Sequence, residues 1–342
     1  MNRSTKKFTY VWAIILVLVA AFTFIDLPYY VTTPGEARVL DEVINVDGGS
    51  QDGGDFMLTT VRVGEANVIQ YIWAQFNEYH ELIDEDLIKR EGESDEEYHQ
   101  RQLDVMANSQ TSATIVAYQA ANKDITITKK GVLVTGIIEG MPADGKLEVG
   151  DLIVKVDGEK VQETEQLLDQ LGAYKKEDTV KLTIKRDGKE KEVELGFTEF
   201  PEAYNTEDGK VGVGITGPVT ATTIKTDPSI KINTDEIGGP SAGLMFTLEI
   251  YNQLTEEDWT KGYEIAGTGT INDKGEVGPI GGIKQKIVAA DGSGAEIFFA
   301  PVAHSNYDDA LEAAKDIETD MKVVPVETFD DAREYLKQLK QK

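Results

Sequence analysis

The chain has 342 residues, enough for two or three domains at roughly 100–200 residues each. Its 61 Asp and Glu against 34 Lys and Arg give a formal net charge of -27, which repels phosphate backbones and argues against nucleic acid as a partner. Apolar residues make up 40%, too many for a disordered chain, and zero Cys excludes disulfides, thiolate metal sites and cysteine nucleophiles.

From Phe8 to Ile25 the run FTYVWAIILVLVAAFTFI carries no charge, and as a helix its 18 residues reach about 27 Å, just enough to cross a bilayer. Arg3, Lys6 and Lys7 precede it and Asp26 follows, so the positive flank belongs on the cytoplasmic side. The expectation is a cytoplasmic tail at 1–7, a lipid-embedded transmembrane anchor at 8–25, and everything after it outside the cell membrane. A cleaved signal peptide is the alternative, with Val19-Ala20-Ala21 as a poor cleavage site.

Beyond Pro28, YYVTTPGEARVL reads as extended, and the β-branched FMLTTVRV from Phe56 to Val63 reads as a strand. Ala66 to Ile83 returns to helical spacing through Val68, Ile69, Ile72, Trp73 and Phe76, a pattern that predicts a core-facing stripe. A second helix is expected from Ser94 to Ala121, opened by Ser94 and Glu97 at capping-box spacing. His80 and His99 stand among acidic residues without a second imidazole at ligand spacing, so solvated faces are expected there and no metal site.

Residues 122–198 are β-rich, with ITIT, GVLVTGII, DLIVKVDG, TVKLTIKRDG and KEVELGF separated by glycine turns and one helix in ETEQLLDQLGAY. Within this stretch GIIEGMPADGKLEVGDLIVKVDGEKV resembles a PDZ domain of the bacterial protease type. The resemblance implies a module that takes an extended peptide as an added strand. An acidic β-rich spacer is the plainer reading of the same residues.

The chemistry sits further on. Gly238, Gly239 and Pro240 make a tight approach to an apolar helix in IGGPSAGLMFTLEIYNQL, leaving Ser241 at its mouth. A serine there serves either as an N-cap or as a nucleophile whose oxyanion meets the helix N-terminus, through backbone N–H groups near Gly239 and Ser241. A base is found in GGIKQKIVAADGSG. At about 100° per residue Lys286 falls with Ile283, Ile287 and Ala290 on the apolar face, while Lys284 points away. A lysine on a buried face loses hydration, its pKa falls, and the neutral amine can take the serine proton; the alternative is a lysine that snorkels to water. His304, after a strand-like run, either caps a helix or lines the cleft, with a structural role the expected one.

Three ordered motifs, IGGPSAGL, GTGTI from Gly267 to Ile271 and GPIGGIKQK from Gly278 to Lys286, resemble the proteolytic domain of Lon-type serine proteases. The resemblance implies a Ser-Lys dyad at Ser241 and Lys286 and a Thr268 that hydrogen-bonds the lysine. Where many Lon enzymes carry an acidic residue three positions before the serine, this chain has Gly238; Asp235 is the nearby acid. Anchor, PDZ-like unit and Lon-type unit together resemble the surface Lon-like, PDZ-containing proteases of Gram-positive bacteria. No G-x-x-x-x-G-K-[ST] phosphate loop occurs, so the expected activity is ATP-independent and without cofactor.

The expected fold class is therefore a mixed α/β Lon-type proteolytic domain with an inserted β-rich PDZ-like domain and one N-terminal transmembrane helix. Residues 26–121 are expected to pack with the proteolytic domain at 199–342, with 122–198 as the PDZ-like insert. The expected function is a cell-surface serine endopeptidase acting on extended secreted peptides or small membrane-tethered proteins, such as signalling peptides or cell-division inhibitors. A membrane-anchored peptide-binding scaffold without catalysis is the competing function, and the sequence does not fix an oligomeric state.

Overall fold

The computed structural model describes residues 12, 22–49, 53–90, 93–201, 204, 209–234 and 237–342. The predicted 8–25 span lies mostly outside these residues, and among the described residues no helix is long and apolar enough to cross a membrane. The chain divides into two compact units, 1–124 with 226–342, and 125–225.

In chain order, the first unit contributes β1 (Asp26–Val39), β2 (Phe56–Asn67), α1 (Val68–Ala74), β3 (Glu81–Asp84) and α2 (Asp95–Ala120). There follow β4 (Asp124–Leu133), β5 (Leu152–Val156), α3 (Thr164–Leu171), β6 (Thr179–Arg186), β7 (Lys189–Gly196) and β8 (Val219–Asp227). The first unit resumes with α4 (Gly243–Leu254), β9 (Ile265–Gly267), α5 (Ile283–Gly292), β10 (Ile297–Pro301), α6 (Asn306–Asp316), β11 (Lys322–Val326) and α7 (Phe329–Gln338).

The first unit is built on a six-stranded mixed sheet in the order β11-β10-β9-β2-β1-β3. β2 runs parallel to β9, as do β9 to β10 and β10 to β11, whereas β1 is antiparallel to both β2 and β3. Both faces are covered, which is why β10 reads as the uninterrupted apolar run IFFAP. On one face Met57, Ala266, Phe298 and Ala300 pack with Ile283, Ile287 and Ala290 of α5 and the alanines of α6. On the other, the Phe299 ring meets Tyr335 of α7 edge-on, and α4 lies between the sheet and α2. Every residue of α4 is buried, and its polar members are hydrogen-bonded there: Gln253 donates to Glu249 and to Ile44 O, and Asn252 accepts the Trp259 N–H.

Two helical expectations meet different outcomes. Ser94 caps α2 with the reciprocal Glu97 bonds of a capping box, so the acidic first turn sits at the positive end of the helix. The helix expected over 66–83 stops at Ala74 instead. Asn77 turns the chain by accepting the Tyr79 N–H on its side chain and the His80 N–H on its carbonyl, and the chain then re-enters the sheet as β3. The stripe Ile69, Ile72, Trp73 and Phe76, expected in the core, faces outward.

The second unit holds a sheet in the order β7-β6-β5-β4-β8 around a core of Val132, Ile153, Leu167, Leu182, Ile184 and Phe197. The Gly150-Asp151 pair of its sequence motif anchors this sheet. Asp151, 1% exposed, receives a two-pronged Arg186 guanidinium at 2.7 and 2.6 Å, a fork that ties the start of β5 to the end of β6. The unit extends past the expected boundary at 198, to Lys225, because Val213 is buried in the same core with Val211 and Ile215 packed against it. The chain returns to the first unit at Thr226, so 199–225, expected with the proteolytic domain, belong to the second unit.

Candidate active site

The site forms where α4 begins, between β1, β2 and α5. A cleft of about 470 Å³ is lined by Glu36, Arg38, Thr59, Met106, Ser241 and Lys286, among others. Ser241 is not the N-cap: that position is Ala242, without a side-chain cap bond, so the Ser241 hydroxyl is left for another partner. That partner is Lys286, whose Nζ lies 3.0 Å from Ser241 Oγ.

Lys286 reaches this point from the first turns of α5, whose apolar side also carries Ile283, Ile287 and Ala290. It is 2% exposed, and burial alone lowers its pKa to about 7. Its second contact is the carbonyl oxygen of Thr59 at 2.6 Å, and no carboxylate pairs with it among the described residues. Lys284, two positions earlier, behaves oppositely: it bonds Glu312 at 2.6 Å, which raises its pKa and keeps it charged. One helix therefore carries a surface ammonium and a buried amine.

The loop before the serine is shaped by α2. Gly239 has φ +90, a conformation that favours glycine, and its N–H donates to Gln102 O at 2.9 Å. A Cβ on Gly238 would stand 2.6 Å from Gln102 Cβ. Helix α2 thus occupies the space a side chain at 238 needs, which accounts for glycine where an acid stands in many Lon sequences. Asp235 lies outside the described residues.

Two expected roles are corrected by these contacts. The Gly239 N–H is spent on Gln102 and Pro240 has none, so the amides that remain for an oxyanion are those of Ser241 and Ala242, which donate to no acceptor among the described residues. Thr268 does not bond the lysine: its buried hydroxyl donates to Ser241 O at 2.9 Å, and the Gly269 N–H donates to the same oxygen at 2.8 Å. Thr268 therefore fixes the serine's backbone. The lysine's fixing partner is Thr59, which the sequence shows only as part of a strand.

The histidines stay outside this arrangement. His304 is exposed in the turn after β10 and neither caps α6 nor lines the cleft. His99 is exposed on α2 and His80 lies in the turn before β3. Among the described residues no group of acidic or imidazole side chains is arranged to hold a metal.

Comparison with known families matches residues 233–338 to the Lon protease (S16) C-terminal proteolytic domain and residues 110–196 to the PDZ domain. The chain carries a Lon-type proteolytic domain and a PDZ domain. Among curated proteins, a Lon protease of Metamycoplasma arthritidis is 36% identical over 30% of this chain and 12% of its own length. One from Campylobacter concisus is 39% identical over 27% of this chain and 11% of its own. The chain thus spans about an eighth or less of these relatives. Among solved structures, the PDZ domain of the SdrC-like protein from Listeria monocytogenes is 30% identical, covering 27% of this chain and 90% of that one, with a TM-score of 0.24. The Lon-type match includes Ser241, Thr268 and Lys286 but does not reach β1 and β2, which complete the cleft.

Proposed function

We propose that the chain is an ATP-independent serine endopeptidase anchored at the cell membrane by residues 8–25, with its catalytic unit outside the cell. The observation that carries this reading is the 3.0 Å contact between Ser241 Oγ and Lys286 Nζ, with the amine desolvated and its pKa lowered to about 7. Near neutral pH a large share of Lys286 is then uncharged, a state in which it can accept a proton.

In this mechanism the Ser241 hydroxyl gives its proton to Nζ as Oγ attacks the peptide carbonyl. Thr59 O, 2.6 Å from Nζ, stabilises the ammonium that forms. The developing oxyanion is met by the Ser241 and Ala242 amides at the positive end of α4. Collapse breaks the C–N bond, and Lys286 returns the proton to the departing amine. Water, deprotonated by the neutral lysine, then attacks the acyl ester, and the serine recovers its proton. Thr268 and the Gly269 amide hold the Ser241 backbone through both steps.

The absence of a phosphate-loop motif from this sequence fits a protease that does not unfold its substrates. Its substrates are then extended secreted peptides or small membrane-tethered proteins, with the PDZ domain binding an extended segment as an added strand. The test compares the membrane and culture-fluid peptidomes of cells carrying wild type, Ser241→Ala or Lys286→Ala. The proposal expects the same peptides to persist in both variants and vanish with wild type. Peptidomes of both variants that match wild type, with a change only when residues 125–225 are deleted, support a binding scaffold instead.

A further inference from the structure

The outward stripe on α1 has an unusual composition for an acidic domain. Ile69, Ile72 and Trp73 share one face of the helix and Phe76 follows two residues past its end, yet Trp73 is 58% and Phe76 83% exposed. The opposite side of the short helix is the one that packs: Tyr71 tilts against Tyr29 of β1, ring centroids 5.3 Å apart. An amphipathic helix facing this way has its apolar side turned to whatever lies beyond the sheet end.

The register identifies what lies there. β1 starts at Asp26, directly after the uncharged 8–25 run, and Asp26 is the ladder partner of Asn67, the N-cap of α1. On the other side of β1, Tyr29 pairs with Asp84 at the end of β3, and Leu87, 77% exposed, follows three residues later. The entry of β1 and the exits of β2 and β3 therefore share one end of the sheet. Phe24, 85% exposed, is at this end too. Exposed apolar side chains from three separate segments converge on the point where the apolar run joins the fold.

We propose that the apolar face of α1, with Leu87 beside it, rests in the interfacial layer of the bilayer that takes up residues 8–25. The proposal rests on the reading of 8–25 as a retained anchor. Trp and bulky aliphatic residues are the side chains suited to that layer. The neighbouring charges are mostly acidic, Glu78, Glu81, Asp84, Glu85 and Asp86 among them, so the contact depends on apolar burial and does not need anionic lipid. A second consequence is a ruler. Ala37 pairs with Thr59, the residue that holds Lys286, and lies eleven residues along β1 from Asp26. At about 3.3 Å per residue Ala37 then stands no more than ~36 Å from the start of β1, with Thr59 and the dyad one strand across from it, so a tethered substrate is cut in its membrane-proximal stretch.

The chain's lack of cysteine allows a clean test with the full-length protein in phosphatidylcholine vesicles. Single variants Ala13→Cys, Ile72→Cys and Glu256→Cys each carry an environment-sensitive fluorophore, and the vesicles contain lipid with a nitroxide near the headgroup or deep in the acyl chain. Glu256 is exposed near Asp258, which contacts Gly53 at the opposite end of β2. The expected result is quenching at 13 by the deep nitroxide, quenching at 72 by the shallow one, and none at 256. Quenching at 13 with none at 72 overturns the proposal and leaves the anchor standing. A label at 72 that is shielded but unquenched, with disulfide-linked dimers of Ile72→Cys, assigns the face to a second copy and also overturns it. No quenching at 13 removes the anchor and the proposal together.

Discussion

Lys286 Nζ lies 2.6 Å from the carbonyl oxygen of Thr59, a residue 227 positions earlier in the chain. This contact joins α5 to β2, the strand that sits between β1 and β9 in the sheet. It also explains how a lysine can be buried without a carboxylate. A carbonyl dipole accepts the amine's N–H in either protonation state, and unlike an Asp it does not hold the amine permanently charged.

A C-terminal fragment should therefore fail. Residues 199–342 contain the matched proteolytic segment but lack β1, β2 and α2, so β9 loses its parallel partner β2, the outer side of α4 loses α2, and Lys286 loses its acceptor. The expected result is an insoluble or molten fragment without activity, read by near-UV circular dichroism and a fluorogenic peptide. A folded and active fragment contradicts the two-segment assembly of this unit.

Removing the dyad members should cost far more than removing their support. Ser241→Ala and Lys286→Met are each expected to lower kcat/KM by roughly 10³-fold or more, and the double variant should be little worse than either. Thr268→Val deletes one of two donors to Ser241 O, leaving the Gly269 amide in place, so about 0.5–1.5 kcal/mol of stability and a smaller loss of rate are expected. Thermal melts and initial rates on the same preparations separate the two effects.

The contact between Ser241 and Lys286 is legible in the sequence because it rests on local information: a helical wheel separates Lys286 from Lys284, and glycines announce the turn before Ser241. The partners of the dyad are not. Thr59 contributes a backbone carbonyl, which carries no side-chain signature, and the Gly239 amide is consumed by Gln102 of a helix more than 130 residues away. The stripe on α1 misleads for a related reason. Periodicity reports that a face is apolar and is silent on whether protein or something else covers it. Likewise the boundary of the second unit escapes a sequence reading because the short alternating run Val211, Val213 and Ile215 carries no signal of which core it joins, and only the packing assigns it.

The Gly238 position offers a test of how α2 shapes the loop. A Cβ there meets Gln102 Cβ at 2.6 Å, and the nearest backbone atom, Gln102 C, at 3.2 Å. Gly238→Ala is expected to shift the loop and reduce kcat with little change in the apparent affinity for a short peptide. Adding Gln102→Gly removes the closest obstacle and should restore part of the rate, despite about 1 kcal/mol of lost helix propensity. Additive losses in the double variant contradict the steric account.

The buried amine predicts how both rate and stability respond to pH. Activity requires neutral Lys286, so kcat/KM should rise along a single limb centred at about 7 as the lysine loses its proton. Stability follows from the same shift. The folded-state pKa is below the 10.5 of an ordinary lysine, so between about 7 and 10.5 the unfolded chain binds the extra proton and the contribution of this group to stability rises with pH. Below about 7 both states are protonated and the cost of burying the ammonium is fully present. Lys286→Met keeps the stem's apolar bulk and removes the charge. It should therefore be more stable than wild type on the acid side of this window, with the advantage shrinking as pH rises through it. Denaturant midpoints measured for both proteins across that range check the sign. A Met variant that is equally destabilised at every pH shows that the amine's contacts outweigh its desolvation.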